Sequence, residues 1–382
     1  MSQAATSFKA VDWDFGDAKI STGIHAIHPY PAKFIAQIPR QLFKLYPPQD
    51  GSVLLDPFCG SGTTLVEGVE AGVDVWGVDL NPIACLISRV KTRLLPLPLG
   101  DLILSVISNA KAKLASGHIE IPQIPNVDHW FKPDVKWALA ALIAEINAEP
   151  SVPVREALQV ALSSIIVRVS NQESDTRYAA IEKKNIAAAD VIEAFKRSAL
   201  SVSRVLTDHS SGLFTHHGKA TVLNCNLMTL SPSELPDNVG LVITSPPYPN
   251  AYEYWLYHKY RMYWLGLDPI RVKEVEIGAR PHYFKKNHQD ETDFEHQMGK
   301  CFKLLSKVML PKAKACFLVG RSIIHGRTID NAKILERSAG RNGFAVEELI
   351  ERRIPTTRKA FNPSNSKINQ EQLMVFSLEE KK

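Results

Sequence analysis

The stretch VLLDPFCGSGTT, residues 53–64, decides the fold class of this chain. It opens with a short apolar run, Val53 to Asp56, which is typical of a buried parallel strand. A glycine-rich turn follows, then a helix pattern from Thr64 to Ala71 and a second apolar run from Val75 to Asp79. This strand–helix–strand order predicts an α/β fold with a doubly wound, mostly parallel sheet.

Five further strand patterns complete a predicted sheet of seven strands. They are Ala220–Asn224, Leu241–Thr244, Ala315–Val319, Phe344–Leu349 and Gln372–Phe376. A polar loop separates the last two patterns, so they could form an antiparallel pair. The sequence therefore predicts a Rossmann-like sheet that ends in an antiparallel hairpin.

The region between residues 92 and 217 has a different character. Apolar residues recur there at helical spacing within 133–146, 154–169 and 191–206, and Pro133 is placed to start the first of these helices. We interpret the region as a helical insert. The predicted organisation is a core in two parts, residues 1–91 and 218–382, with the insert 92–217 between them.

Composition limits the possible functions only broadly. The 382 residues carry a formal net charge of +5, which permits a polyanionic partner without requiring one. No apolar run reaches the roughly 18 residues of a membrane span, and the N-terminal segment lacks a signal-peptide core. The five cysteines are scattered and form no zinc-binding spacing. These features predict a cytoplasmic protein with reduced thiols, no bound metal and no membrane partner.

The glycine-rich loop has the features of a nucleoside site. Gly60 and Gly62 allow a sharp turn and a close approach of the backbone to a ligand. Asp79 follows at about the spacing at which a second-strand acid binds ribose hydroxyls. The loop lacks the lysine of a phosphate-binding loop, which disfavours a triphosphate. An ordinary strand–helix turn is the alternative interpretation.

A second motif, LVITSPPYPN at residues 241–250, is more informative. Two prolines stiffen the backbone directly after a strand, remove two N–H donors and hold nearby carbonyls in a fixed orientation. Ser245 adds a hydroxyl and Tyr248 an aromatic face. This combination favours a flat, polar ring that bears an amino group. A strand ended by prolines, with a tyrosine that only packs, is the alternative.

Together the two motifs resemble those of the DNA amino-methyltransferases, which methylate cytosine N4 or adenine N6. DPFCGSGTT is similar to the cofactor motif of that family, and SPPY is similar to its catalytic motif. HPYPAKF, residues 28–34, resembles the motif beside the methionine end of the cofactor. The resemblance covers roughly residues 25–90 and 220–380. The serine version of the catalytic motif is typical of cytosine-N4 members, and an aspartate version of adenine-N6 members.

The resemblance implies S-adenosyl-L-methionine as cofactor and a DNA base as substrate, flipped out of the double helix. It also implies a modification or defence setting with a possible cognate restriction endonuclease. The implied catalytic residues are Ser245, Pro246, Pro247 and Tyr248. The implied cofactor-binding residues are Phe34, Asp56, Phe58, Cys59, Gly60, Ser61, Gly62, Thr63, Asp79, Leu80, Asn81 and Asn226. Asn226 stands where related enzymes often have an acid, so its assignment departs from the family pattern.

Several alternatives stay open. Adenine N6 is the nearest alternative target, and an RNA amino-methyltransferase shares the same catalytic logic. A binding module with a degenerate cofactor fold is disfavoured because both motifs are intact. Methylation of cytosine C5 is disfavoured because no cysteine follows a proline at a strand end.

Recognition of the DNA sequence must come from an addition to the sheet, and the insert is the largest one. Its polar stretch supplies Asn171, Arg177, Lys183 and Lys184 as candidate DNA-binding residues. The segment from Asp268 to Asp290 is a competing reader. Arg358 and Lys359, in the loop before the last strand, are further candidates for phosphate contact.

Overall fold

The structure is a computed structural model, and the description covers residues 7–16, 18, 22–95, 98–175, 177–183, 185–213, 218–250, 252–284, 286, 288–354 and 370–379. The strands are β1 Val53–Asp56, β2 Val75–Asp79, β3 Gln172–Ser174, β4 Arg177–Ala180, β5 Ala220–Asn224, β6 Val239–Thr244, β7 Met309–Gly320, β8 Ser322–Ile324, β9 Arg327–Ile329, β10 Phe344–Arg353 and β11 Gln370–Leu378. The α-helices are α1 Gln37–Leu45, α2 Thr63–Glu70, α3 Pro82–Thr92, α4 Gly100–Ser116, α5 Val127–Trp130, α6 Pro133–Asn147, α7 Val152–Val169, α8 Ala188–Leu213, α9 Tyr254–Tyr257, α10 Lys259–Trp264, α11 Pro269–Val275, α12 Glu291–Val308 and α13 Asn331–Gly340.

Seven strands form the central sheet in the order β10-β11-β7-β6-β1-β2-β5. β11 runs antiparallel to both of its neighbours, β10 and β7. The other four adjacent pairs are parallel. Each of the seven predicted strands is present, so the predicted doubly wound sheet with a terminal antiparallel hairpin is confirmed. β7 is longer than predicted because its first half also pairs with β6, at Met309 opposite Val239.

The order of the strands creates a crevice at one edge of the sheet. β1 lies between β6 and β2, and all three strands are parallel. Their carboxyl ends therefore meet at the same edge, at the point where the winding direction of the sheet reverses. Ligands of open α/β sheets bind at such switch points. The chain places DPFCGSGTT, Asp79 and SPPY at these three ends.

The helical region is joined to the sheet through a shared apolar core. Ile103 of α4, Leu139 of α6, Ile166 of α7 and Phe195 of α8 are buried in one cluster with Ile83 of α3. The same cluster contains residues from α10 and α11, which follow the catalytic motif. The helices thus pack against core elements of the methyltransferase-like sheet. The predicted boundaries of the insert, 92 and 217, stay a prediction.

Two hairpins were not predicted from the sequence. The polar stretch of the insert forms the β3–β4 hairpin, because Tyr178 packs on Trp130 with 4.6 Å between ring centroids. A β8–β9 hairpin directly follows β7. Its turn residues, His325 and Gly326, both have positive φ, at 48° and 78°, which is the geometry of a tight two-residue hairpin turn. None of the helices in the described parts of the chain is long and apolar enough to span a bilayer.

Candidate active site

The glycine-rich loop is fixed in place by α3. Gly60 and Gly62 adopt the left-handed region with φ of 49° and 78°. A Cβ atom on Gly62 would lie 2.7 Å from the Ser88 Oγ, so a larger residue would collide with α3. The Ser88 hydroxyl donates to the Gly60 carbonyl at 2.8 Å, and the buried Lys91 amine donates to the Ser61 carbonyl at 2.8 Å. The two carbonyls are therefore occupied on the α3 side.

Asp79 connects the glycine-rich loop to the end of β2. One carboxylate oxygen accepts the Gly60 N–H at 2.8 Å, and the other accepts the Asn81 N–H at 2.8 Å. Burial raises the pKa of Asp79 to about 6, although both N–H donors oppose that shift. Each oxygen retains a second acceptor position. Asp79 can therefore hold the loop and still accept hydroxyl groups of a ligand.

Asp56 links the two motif-bearing strands. Its Oδ1 accepts the Thr244 hydroxyl at 2.6 Å and the Phe58 N–H at 3.1 Å. Burial raises the pKa of Asp56 to about 7. Thr244 is the residue before Ser245, so this bond sets the spacing between the start of the glycine-rich loop and the start of the catalytic motif.

A single cleft brings the predicted cofactor residues together. It is open to solvent and is lined by both polar and apolar side chains. Every predicted cofactor residue except Gly62 lines the cleft. Ser245 and Pro247 line it as well, whereas Pro246 and Tyr248 are not among its lining residues. The two motifs therefore face the same space.

The cleft also contains residues that sequence reasoning missed. From HPYPAKF the sequence predicted only Phe34, but Tyr30, Ala32 and Lys33 line the cleft too. The Tyr30 ring stacks against Tyr254, with 5.9 Å between centroids. The Lys33 amine donates to the backbone carbonyls of His25 and His28. Burial lowers the pKa of Lys33 to about 8. The motif itself was the signal for these residues, since they lie within it.

Glu276 also lines the cleft, and no motif in the sequence predicts it as a site residue. Its carboxylate accepts the N–H groups of Tyr254 and Trp255 at 2.8 and 2.9 Å. Burial raises the pKa of Glu276 to about 8. The bonds join the start of α9 to the end of α11, more than twenty residues later in the chain. This long separation hides the pairing from any motif analysis.

The SPPY motif brings Ser245 and Tyr248 together. Their hydroxyl oxygens lie 3.4 Å apart. The Tyr248 hydroxyl also lies 3.5 Å from the Leu318 carbonyl and 3.5 Å from a carboxylate oxygen of Glu371. Glu371 is held by Arg352 at 2.6 Å. The hydroxyl end of Tyr248 is thus directed towards β7 and β11, and burial raises its pKa.

Asn250 anchors the end of the catalytic loop to two later segments. Its N–H donates to the Gly278 carbonyl at 2.9 Å, and its side-chain amide donates to the Ile323 carbonyl at 2.7 Å. A Cβ atom on Gly278 would lie 2.5 Å from the Tyr248 carbonyl oxygen, so these backbones are in close contact. The segment after α11 and the β8–β9 hairpin therefore both pack against SPPYPN.

Two asparagines of the predicted site also act as helix caps. Asn81 accepts the Ile83 N–H at 2.9 Å at the start of α3, and Asn226 accepts the Met228 N–H at 3.0 Å. Within the described residues the Asn81 side-chain Nδ2 is buried without a hydrogen-bond partner. Because Asn81 lines the cleft, this donor is available to a ligand bound there.

Of the predicted DNA-binding residues, the three that the structure describes, Asn171, Arg177 and Lys183, do not line the cleft. The Asn171 amide donates to the His129 carbonyl at 2.9 Å, and the Lys183 amine donates to the Val167 carbonyl at 3.0 Å. Arg177 has a 68% exposed side chain and pairs with Glu173 at 2.9 Å. Lys184, Arg358 and Lys359 lie outside the described residues. Their role in DNA binding stays a prediction.

The cysteines and possible metal ligands give no second site. Cys59 and Cys225 line the cleft, but burial raises the pKa of both thiols, which disfavours a nucleophilic thiolate. In the described part of the chain, no three His, Cys, Asp or Glu side chains are grouped so that they could hold a metal ion.

Comparison with known proteins gives an independent view of this site. Residues 28–118 match the family model of the RMKL-like methyltransferase domain. The chain is 29% identical over 274 residues to the Type II methyltransferase M.MvaI of Kocuria varians, covering 66% of this chain and 60% of that protein. It is 40% identical over 86 residues to the Type II methyltransferase M.MjaII of Methanocaldococcus jannaschii, covering 21% of this chain and 16% of that protein.

A third relative extends the same pattern. The Type II methyltransferase M.AvaI of Nostoc sp. is 24% identical over 266 residues, which cover 65% of this chain and 54% of that protein. The chain thus spans less than two thirds of the length of each of these relatives. The matches agree with the motif resemblance and with S-adenosylmethionine as the expected cofactor.

Proposed function

Because residues 28–118 carry a methyltransferase domain and the sequence relatives are Type II methyltransferases, we propose that this chain transfers a methyl group from S-adenosylmethionine to an amino group of a DNA base. The proposed target atom is cytosine N4. The observation that carries the proposal is the shared cleft, in which Ser245 and Pro247 face the glycine-rich loop.

The residues of the cleft fit the cofactor. S-adenosylmethionine supplies an electrophilic methyl group together with ribose hydroxyls, an adenine ring and a charged methionine end. Asp79 has free acceptor positions for the hydroxyls, and Asn81 has a free buried donor. Asn226 lines the same part of the cleft and is our candidate for the adenine amino group. The Lys33 amine and the Glu276 carboxyl group line the cleft and are our candidates for contact with the methionine end.

The catalytic motif suits an exocyclic amine. Such a nitrogen is a weak nucleophile because its lone pair is delocalised into the ring. If the Ser245 hydroxyl and the Pro246 carbonyl accept its two N–H bonds, the nitrogen can pyramidalise and direct the lone pair at the methyl group. Methyl transfer would form the nitrogen–carbon bond as the carbon–sulfur bond of the cofactor breaks, leave S-adenosylhomocysteine, and release one proton of the amine to solvent. The Tyr248 ring would stack on the base, a contact worth about 1–3 kcal/mol.

A base within a duplex cannot reach a cleft of this kind, so the target must be flipped out or already unpaired. We further propose a cytoplasmic location and a cognate restriction endonuclease as partner.

Nucleoside analysis tests the proposal directly. DNA from cells that express the chain should contain N4-methylcytosine, and cells that express a Ser245→Ala, Tyr248→Ala double variant should lack it. N6-methyladenine in place of N4-methylcytosine would keep the methyltransferase assignment and reject the target atom. Methylated RNA with unmodified DNA would reject DNA as the substrate.

A further inference from the structure

Resting on the proposed function, we propose that duplex DNA contacts a surface beside the catalytic loop, formed by Arg280, Phe284, His288, Ile323 and His325. We call it the Phe284 surface. We further propose that the Phe284 ring occupies the gap that the flipped base leaves in the stack.

The first observation is the exposure of an aromatic ring. Phe284 is 60% exposed, the largest fraction of any large hydrophobic residue that the structure describes. Ile323 beside it on the β8–β9 hairpin is 37% exposed. Exposed apolar groups that lie together next to a cleft commonly mark a binding surface.

The second observation is that the ring has fixed neighbours. The Arg280 guanidinium lies over the Phe284 ring, 5.3 Å from its centroid. The His325 ring meets its edge at 5.9 Å, and His288 lies 4.7 Å from His325. These contacts hold an apolar ring at the surface with cationic and polar groups around it. Proteins that kink or open DNA insert apolar side chains between bases in a similar setting.

The third observation places the surface at the catalytic loop. Arg280 and Phe284 follow Gly278, and Ile323 and His325 form the β8–β9 hairpin. Asn250 is hydrogen-bonded to both segments, to the Gly278 carbonyl at 2.9 Å and to the Ile323 carbonyl at 2.7 Å. The surface is therefore attached to the last residue of SPPYPN. A duplex that delivers a base to Ser245 must pass close to it.

The fourth observation is the charge of the surface. Arg280 and Lys286 are both exposed. Arg280 lies close enough to the Glu253 carboxyl group to oppose the rise in pKa that burial causes there. Exposed cations beside an exposed aromatic ring suit a phosphate backbone and a base stack. The surface thus favours DNA over an apolar protein partner.

A rescue experiment tests the role of Phe284. Phe284→Ala should slow methylation of a paired duplex by roughly 5- to 150-fold, the equivalent of one lost stacking contact. The rate should recover to within about threefold of the unmodified chain when the target base lies opposite an abasic site, because an unpaired base costs less to flip. Cofactor affinity should not change. Leu349→Ala, which alters a 49% exposed residue on β10, is the matched control.

The outcomes are separable. Unchanged methylation of the paired duplex by Phe284→Ala, or an equal loss on both duplexes, would overturn the role of Phe284. Failure of the proposed function would instead appear as no methylation of either duplex by the unmodified chain.

A second variant tests the surface without the aromatic ring. Arg280→Ala should weaken duplex binding and lower the salt dependence of the affinity by about one phosphate contact. Arg197→Ala, which alters a 71% exposed side chain on α8 of the insert, is the control and should leave both unchanged. Unchanged duplex affinity and salt dependence in Arg280→Ala would overturn the surface, and thermal unfolding would verify that both variants fold.

Discussion

The two loops that form the candidate site follow neighbouring strands and differ in the flexibility of their backbones. DPFCGSGTT follows β1 and SPPYPN follows β6, and the two strands pair in parallel at Leu54 opposite Leu241. The first loop is rich in glycine, so its backbone is intrinsically free. The second is rich in proline, so its backbone is intrinsically restricted.

The loops are consequently held in different ways. The glycine-rich loop depends on side chains from outside, namely Asp79, Ser88 and Lys91. The proline-rich loop depends on its own rings and on Asn250, whose two hydrogen bonds reach later segments. A loop held by a few side chains should fail when one of them is removed. A loop stiffened by its own backbone should keep its shape when a side chain within it is removed.

The largest expected effect is therefore that of Asp79→Ala on cofactor affinity. The change removes the acceptor of the Gly60 and Asn81 N–H groups together with the acceptor for the ribose. Charge-assisted hydrogen bonds contribute about 1.5–3 kcal/mol each, so losing two should weaken cofactor binding by roughly 100-fold or more. Calorimetric titration with S-adenosylmethionine measures this affinity.

Asp74→Ala is the matched control for this change. Asp74 also accepts a backbone N–H, that of Lys219 at 2.7 Å, but it precedes β2 instead of following it. Cofactor affinity should stay unchanged in this variant. A folded Asp79→Ala chain with unchanged affinity would remove Asp79 from the cofactor site.

The second effect concerns the proline-rich loop. Tyr248→Ala should slow methyl transfer by roughly 5- to 150-fold, the cost of one base–aromatic stack, and should leave cofactor affinity nearly unchanged. Tyr248→Phe keeps the ring and should retain most of the activity. Single-turnover rates and calorimetry separate the two quantities. If Tyr248→Ala abolishes cofactor binding along with activity, the loop is not self-supporting and the comparison between the loops is wrong.

The parts of the site that the sequence predicted are those whose structure depends on residues close together in the chain. Gly60, Gly62 and Asp79 lie in one strand–helix–strand unit, and the two prolines restrict the backbone of their own loop. The seven strands were predicted for the same reason, since each is a short apolar run with turn residues at its ends.

The parts that the sequence did not predict depend on contacts between distant residues. Glu276 is connected to the site by the N–H groups that it accepts from α9. The β8–β9 hairpin is connected to it by the hydrogen bond from the Asn250 amide. Both contacts are fixed by packing that no local pattern records. Asn171 and Lys183 are residues for which the sequence suggests a role and the structure shows a different contact. Their residue types suit DNA, but the structure uses their side chains to hold backbone carbonyls of the insert.

The smallest expected effect is a pH dependence that arises at Asp79. Its pKa is raised to about 6, so the carboxyl group takes up a proton as the pH falls from 7 to 5. The ionised form is the better acceptor for ribose hydroxyls and for the Gly60 N–H. Cofactor affinity should therefore fall over this range, by about tenfold at most for each pH unit below the pKa. Asp79→Asn should bind more weakly at pH 7 and show a smaller fall.

The stability of the cofactor-free chain should respond to the same group in the opposite direction. Because the folded pKa is raised above the value of about 3.9 for an unfolded chain, the folded state holds the proton more tightly. The contribution of Asp79 to the free energy of unfolding is thus greatest below pH 4 and decreases as the pH rises through 6. Asp56, Glu276 and Lys33 also titrate in or near the cleft, so the quantity to compare is the difference between the unmodified chain and Asp79→Asn. Identical pH profiles of cofactor affinity for the two chains would show that the Asp79 carboxylate does not bind the ligand.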